Sequence, residues 1–218
     1  MSAQNPSRVS DASVTVRVME DGVGSLDETD LARARLYGLL GAVLARPPDA
    51  MVLTALAALN GDSGELGAAL RAVAAAARGT TPDAARREYD VLFIGMTRGE
   101  IVPYASFYLT GFLYDRPLVR IRADMAEFGL TLAAGESEPE DHVATILQVM
   151  SSLIDGAATP RQPAERQHAF FRRHLEPWVG RFFADVEKAP SAVLYRPVGA
   201  LGRCLMAIEH EAFRMEFA

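Results

Sequence analysis

A single cysteine, Cys204, stands in the 218-residue chain, so no internal disulfide can staple the fold. Its neighbours Leu205, Met206 and Ile208 predict a buried structural thiol and a reducing compartment. Long apolar runs are missing as well. No uncharged stretch reaches the roughly 18 residues that a bilayer-spanning helix needs, and the N-terminal MSAQNPSRVSDASVTVRVMEDG lacks the continuous apolar core of an export leader. A cytoplasmic, non-spanning protein is expected. Positive charge is also short: 22 Lys+Arg against 28 Asp+Glu give a formal charge of −6, the wrong sign for gripping a phosphate backbone. No nucleic-acid partner is therefore expected, and Arg78, Arg86 and Arg87 read as a solvated helix face.

Catalytic signatures are absent too. The chain has no G-x-x-x-x-G-K-[ST], no G-x-G-x-x-G, no C-x-x-C, no H-E-x-x-H and no G-x-S-x-G. Neither a cofactor nor a metal is expected. His168 and His174 stand six residues apart, about 600° around a helix, and Glu209-His210-Glu211 offers ligand types without a constellation. Surface or capping roles are expected for these groups.

What remains is half apolar and 23% charged, with mean hydropathy near zero, enough to build a sizeable core. Residues 1–28 mix small polar residues with short Val islands and predict a disordered tail. From there the apolar residues recur at helical spacing. A first helix is expected after Thr29/Asp30, ending at Pro47-Pro48. A second is expected after Asp49, ending at Asn60-Gly61. An Ala-rich helix should run from Ser63 to Gly79 and another from Thr81-Pro82 toward Gly95. Met96–Tyr114 breaks the rhythm with Gly99, Pro103 and Gly111 and reads as an aromatic-rich loop. A helix over 117–128 follows. Ser137 and Glu140 then have capping-box spacing, which predicts a helix from about Glu138 to Asp155. Further helices are expected at 163–175, 177–188 and 192–216. No β alternation and no repeat of fixed period appears in this part, so the fold class is all-α: a single helical domain over 29–218 of about eight to ten helices.

Two constellations could carry function. E-Y-D-V-L-F-I-G at 88–95 followed by P-Y-A-S-F-Y at 103–108 gathers aromatics that either pack a core or, for Tyr104 and Tyr108, face a ligand. E-P-E-D-H at 138–142 is either an acidic helix start or a hydrogen-bonding edge beside an apolar groove. Such an edge suits a peptide that combines basic residues with an apolar segment. An acid/base pair from Asp141 and His142 and a helical adaptor for another folded partner are the competing readings. Trp178, set among Phe170, Phe171, Phe182 and Phe183, reads as scaffold.

The ordered set Y-x-x-L-F-x-G at 89–95, P-x-x-S at 103–106, E-P-x-D-H at 138–142 and F-F-x-x-H-L-x-P-W at 170–178 resembles the TorD/DmsD family and its NarJ-like relatives. The resemblance implies a TorD-like helical bundle that is not an enzyme. It implies a chaperone that binds the twin-arginine signal peptide or apo-form of a molybdopterin oxidoreductase, assists cofactor insertion and delays export. By similarity, one wall of the peptide site would be Tyr89, Leu92, Phe93, Pro103, Tyr104, Ser106 and Tyr108. The other would be Glu138, Pro139, Asp141 and His142. Tyr89, Tyr104 and Tyr108 stand where some relatives carry tryptophan, which bears on the identity of the client. A monomer or a homodimer is compatible with a helical fold of this kind.

Overall fold

The computed structural model describes residues 26–132 and 138–217; residues 1–25 of the expected tail at 1–28 and Ser137 lie outside the described residues, and Glu28 already belongs to the first helix. Ten α-helices run through these segments: α1 (Glu28–Ala45), α2 (Ala50–Ala57), α3 (Glu65–Arg78), α4 (Pro82–Tyr89), α5 (Ala105–Thr110), α6 (Arg116–Glu127), α7 (Val143–Asp155), α8 (Ala164–Phe170), α9 (Val179–Lys188) and α10 (Tyr195–Glu216). π-helical turns extend α4 over Asp90–Ile94 and α8 over Phe171–Leu175. The all-α expectation and the helix count hold among the described residues.

Local chemistry explains most boundaries. Asp27, one turn before the expected Thr29/Asp30, accepts from the Asp30 N–H at 2.7 Å and starts α1. Asp49 caps α2 at 2.9 Å, and Thr81 caps α4 with Pro82 in its first turn, the position where a missing N–H costs nothing. Two expectations are corrected. The aromatic loop contains α5, which Gly111 ends in a left-handed conformation at φ 83°. The capping box at 137–140 does not start α7. That helix begins five residues later, with His142 as its cap, while Glu140 pairs instead with Arg122 at 2.7 Å.

α7 is buried on nearly every side and packs along α1. Gly41 lets the two backbones close, since a Cβ there would lie 2.8 Å from the Gln148 side chain. α9 and α10 pack together, α3 covers α10, and α2 packs on α3. Trp178, Phe171, Phe182, Phe183 and Tyr195 fill the centre, and Trp178 donates its indole N–H to the His174 carbonyl at 2.8 Å. The scaffold reading of Trp178 is what the packing shows, and Cys204 is buried as expected. Two surface expectations are overturned. His174 is 5% exposed with Nε2 2.7 Å from Asp124, and Glu209 is 1% exposed beneath Arg33. Each has a partner distant in sequence that offsets its desolvation.

Candidate functional site

Chain geometry between α4 and α5 is set by Gly95. At φ 63° its N–H donates to the Asp90 carbonyl at 2.6 Å, closing the π turn, and a Cβ there would run into the Arg98 backbone. The strand-like return places Ile101 N–H on Leu92 O at 2.8 Å. Pro103 O then accepts from Val143 N–H at 2.8 Å, and Asp141 O accepts from Ala105 N–H at 2.9 Å. Tyr104 and His142 form an isolated antiparallel bridge. The two walls expected from sequence are thus neighbours, joined by backbone.

Asp141 is 1% exposed, and its Oδ2 accepts from the Ser106 N–H at 2.9 Å, capping α5. His142 Nδ1 accepts from the Ala144 N–H at 3.2 Å, capping α7. Both side chains are therefore engaged by backbone donors, which leaves no solvent-facing acid/base pair. Ser106 Oγ and Asp141 Oδ1 are buried at this junction with no hydrogen-bond partner among the described residues. The remaining aromatics divide by position. Tyr89, Leu92 and Phe93 are buried: Tyr89 donates to Leu44 O at 3.2 Å, and Phe93 packs 5.2 Å from the Tyr195 ring. Tyr104 is half-buried and donates its hydroxyl to the exposed Glu138 carboxylate. Tyr108 is half-buried on Trp178, 5.2 Å between rings, and donates to Asp185 at 2.9 Å. Burial raises the pKa of Tyr104, Tyr108 and Tyr89, the last to about 12, and nearby carboxylates add to the rise. All three stay neutral donors at physiological pH.

Burial also pushes His142 down from its ordinary 6.5 to about 4, against the opposing pull of Glu138 and Asp141. The folded state thus refuses a proton that the unfolded chain accepts. The contribution is complete above pH about 6.5, falls as pH drops through that window and levels off below about 4, a loss on the order of 3 kcal/mol. Thermal unfolding of the wild type should show this fall between pH 7 and 4.5. His142→Asn, which can still cap α7 without titrating, should show a shallower one. His174, also lowered chiefly by burial, titrates in both proteins, so the difference isolates His142. Superimposable slopes would assign the effect elsewhere.

Beside this junction an apolar groove of about 440 Å³ is lined by Phe93, Ile94, Val102, Pro103, Tyr104, Phe107, Phe112 and Leu113, among others. Ile94, Met96, Phe112, Leu113 and Tyr114 stand exposed around it, with Met96 fully in solvent. Tyr114 holds φ at 60°, an uncommon conformation for a bulky residue, at the end of this exposed run. Apolar surface concentrated in one patch marks an interaction site more than scattered exposure does. A second cavity of about 530 Å³ adjoins it and carries Arg98, Tyr108, Arg181, Asp185 and Lys188. Of the residues expected from sequence, Phe93, Pro103 and Tyr104 line the groove and Tyr108 the second cavity. Glu138 and Pro139 flank the Tyr104 side. Leu92, Ser106, Asp141 and His142 support these walls from beneath. Ile94, Phe107, Phe112 and Leu113 were not among the expected site residues, although Phe107 and Phe112 belong to the aromatic-rich stretch. The signal available was the apolar F-L-Y run at 112–114 directly after Gly111, outside any helical period.

The fold is shared with the crystal structure of a candidate redox enzyme maturation protein from Archaeoglobus fulgidus. The two align with a TM-score of 0.58 over 88% of this chain and 99% of that one, at 22% identity. This places the chain in a helical architecture seen for maturation proteins. The nitrate reductase delta subunit family model matches residues 59–184, and the chain belongs to that family, which includes NarJ and TorD. The segment that carried the sequence resemblance, residues 89–178, lies wholly inside the match. Among curated relatives, the chaperone protein TorD of Shewanella pealeana is 28% identical over 197 residues, 81% of this chain and 87% of the relative. TorD of Vibrio parahaemolyticus is 28% identical over 118 residues, 50% of this chain and 55% of the relative. TorD of a Psychrobacter species is 35% identical over 88 residues, 38% and 40% of the two chains. The chain thus spans about half or less of the length of several relatives it matches. The named relatives are chaperones and maturation proteins, not catalysts. Among the described residues no helix is long and apolar enough to cross a membrane.

Proposed function

We propose that this protein is a cytoplasmic chaperone that binds the twin-arginine signal peptide, or another apolar segment, of an apo-molybdoenzyme catalytic subunit. Holding that segment delays export until the cofactor is inserted. The observation that carries the reading is the open apolar groove between Phe93 and Leu113, with the Glu138 carboxylate beside it on Tyr104. A signal peptide pairs a basic region with an apolar stretch, and these are the two chemistries side by side here. Asp141, His142 and Ser106 act as a latch that fixes the Tyr104 wall.

Titration calorimetry with a synthetic twin-arginine signal peptide should give a dissociation constant in the micromolar range or tighter. Phe112→Ser removes an exposed side chain and should weaken binding about tenfold, from the loss of roughly 1.5–2 kcal/mol of apolar burial, without lowering the melting temperature. Asp141→Ala should weaken binding and also lower the melting temperature, because the α5 cap goes with it. Absence of binding by the folded wild type to twin-arginine peptides would sink the proposal.

A further inference from the structure

The cavity beyond the apolar groove has a charge character that a site for a purely basic peptide would not need. Arg98, Arg181 and Lys188 line it, Lys188 being the only lysine of a chain with formal charge −6. The two carboxylates there are already engaged. Asp185 accepts from the Tyr108 hydroxyl at 2.9 Å, and Glu100 accepts from the Ser191 hydroxyl and N–H. Among the described residues, none of the three cations pairs with a carboxylate. Aromatic faces position the guanidiniums instead: Arg98 lies 5.0 Å from the Phe107 ring centroid and Arg181 5.2 Å from that of Tyr108. Arg181 also donates to the Tyr108 carbonyl. A guanidinium held over a ring keeps its N–H edge available for a planar anion, and carboxylate is the planar anion of peptides.

Arg98, Val102 and Phe107 line both cavities, so the groove and the cationic cavity are continuous. Tyr104 lines only the groove and carries Glu138. A segment laid along this path meets a carboxylate, then apolar walls, then three cations. We infer that the groove reads charge polarity. It selects an apolar client segment with a basic residue on the Glu138 side and an acidic side chain on the other, whose carboxylate docks between Arg98, Arg181 and Lys188. This inference rests on the peptide-binding reading above and adds to it the acidic determinant and the direction of the ligand.

Three synthetic peptides test it, each with an Arg-Arg pair, about ten alternating Leu and Ala residues, and a closing pair of Glu-Glu, Gln-Gln or Lys-Lys. Fluorescence anisotropy against the full chain should show Glu-Glu binding about tenfold tighter than Gln-Gln, and Lys-Lys weaker still. In the Arg181→Gln/Lys188→Gln variant, whose two positions line the cationic cavity and not the groove, the Glu-Glu preference over Gln-Gln should collapse to within about twofold. Lys188→Gln alone should give a partial collapse. Both positions are exposed, and circular dichroism confirms folding. Equal affinity of Glu-Glu and Gln-Gln for the wild type would overturn the polarity inference and leave peptide binding intact. A preference that survives in the double variant would overturn the assignment to these residues. No binding by any peptide would overturn both readings.

Discussion

Glu209→Ala is expected to destabilise the fold by on the order of 3–5 kcal/mol, the range for stripping one partner from a buried ion pair. The Glu209 carboxylate takes a bidentate contact from Arg33, 2.7 Å to Nε and 2.8 Å to Nη2, and a third bond from the Tyr37 hydroxyl at 3.1 Å. Arg33 also donates to Asp30 at 2.7 Å and Gln167 at 3.2 Å, so one network ties α1, α8 and α10. Burial alone would lower the Arg33 pKa, yet the Glu209 and Asp30 partners raise it well above its ordinary value. Removing the acid leaves a fully buried tyrosine hydroxyl without its acceptor and a part-buried guanidinium without its main counter-charge. Chemical denaturation would read the loss as a lower midpoint at unchanged slope. The triple variant Arg33→Met/Tyr37→Phe/Glu209→Leu should recover most of it, because the desolvation cost disappears with the charges. A loss below about 1 kcal/mol for Glu209→Ala would contradict a buried network.

Gly199→Ala should be the next most damaging change, on the order of 3 kcal/mol from overpacking. A Cβ there would stand 2.6 Å from the Glu187 nitrogen and 2.8 Å from the Phe183 carbonyl, both backbone atoms of α9 that move only if the helix moves. One turn on, a Cβ at Gly202 would enter the Phe183 ring, which is itself fully buried against Phe182 at 5.3 Å. Because both substitutions push the same helix pair apart, the double variant should cost clearly less than the sum. Gly180 in α9 is the control: a Cβ meets nothing within 4 Å, so Gly180→Ala should stabilise by about 0.5–1 kcal/mol through helix propensity. Thermal unfolding of the four proteins checks all of this. A Gly199→Ala protein as stable as Gly180→Ala would contradict the close α9–α10 contact.

Most of the fold was legible because helices announce themselves over a few residues. Asp49, Thr81-Pro82 and Gly129 act on their immediate neighbours, and the 3- and 4-residue spacing of Val143, Ile146, Leu147, Met150 and Ile154 repeats within three to four turns. The misplaced start of α7 shows where this stops. Ser137 and Glu140 have the right spacing for a capping box, yet Glu140 is taken by Arg122 and the cap falls to His142, held against Tyr104 by a bridge across 38 residues of chain. The short α5 was hidden for a related reason. The six residues Ala105–Thr110 carry little periodicity, and their first turn depends on the Asp141 carboxylate.

The sequence by itself determined the all-α class, the helix breaks, the family and the two segments that flank the candidate groove, since each is written in local spacing and residue type. Only the tertiary structure decided which of those residues face solvent. Asp141, Ser106 and His142 are spent on backbone caps, while Phe107, Phe112 and Leu113 open onto the groove. It alone brought Arg98 to Arg181 and Lys188, and Arg33 to Glu209 at a separation of 176 residues. Charge pairing and cavity shape depend on distance in space, and a one-dimensional pattern carries that distance for only about a turn of helix.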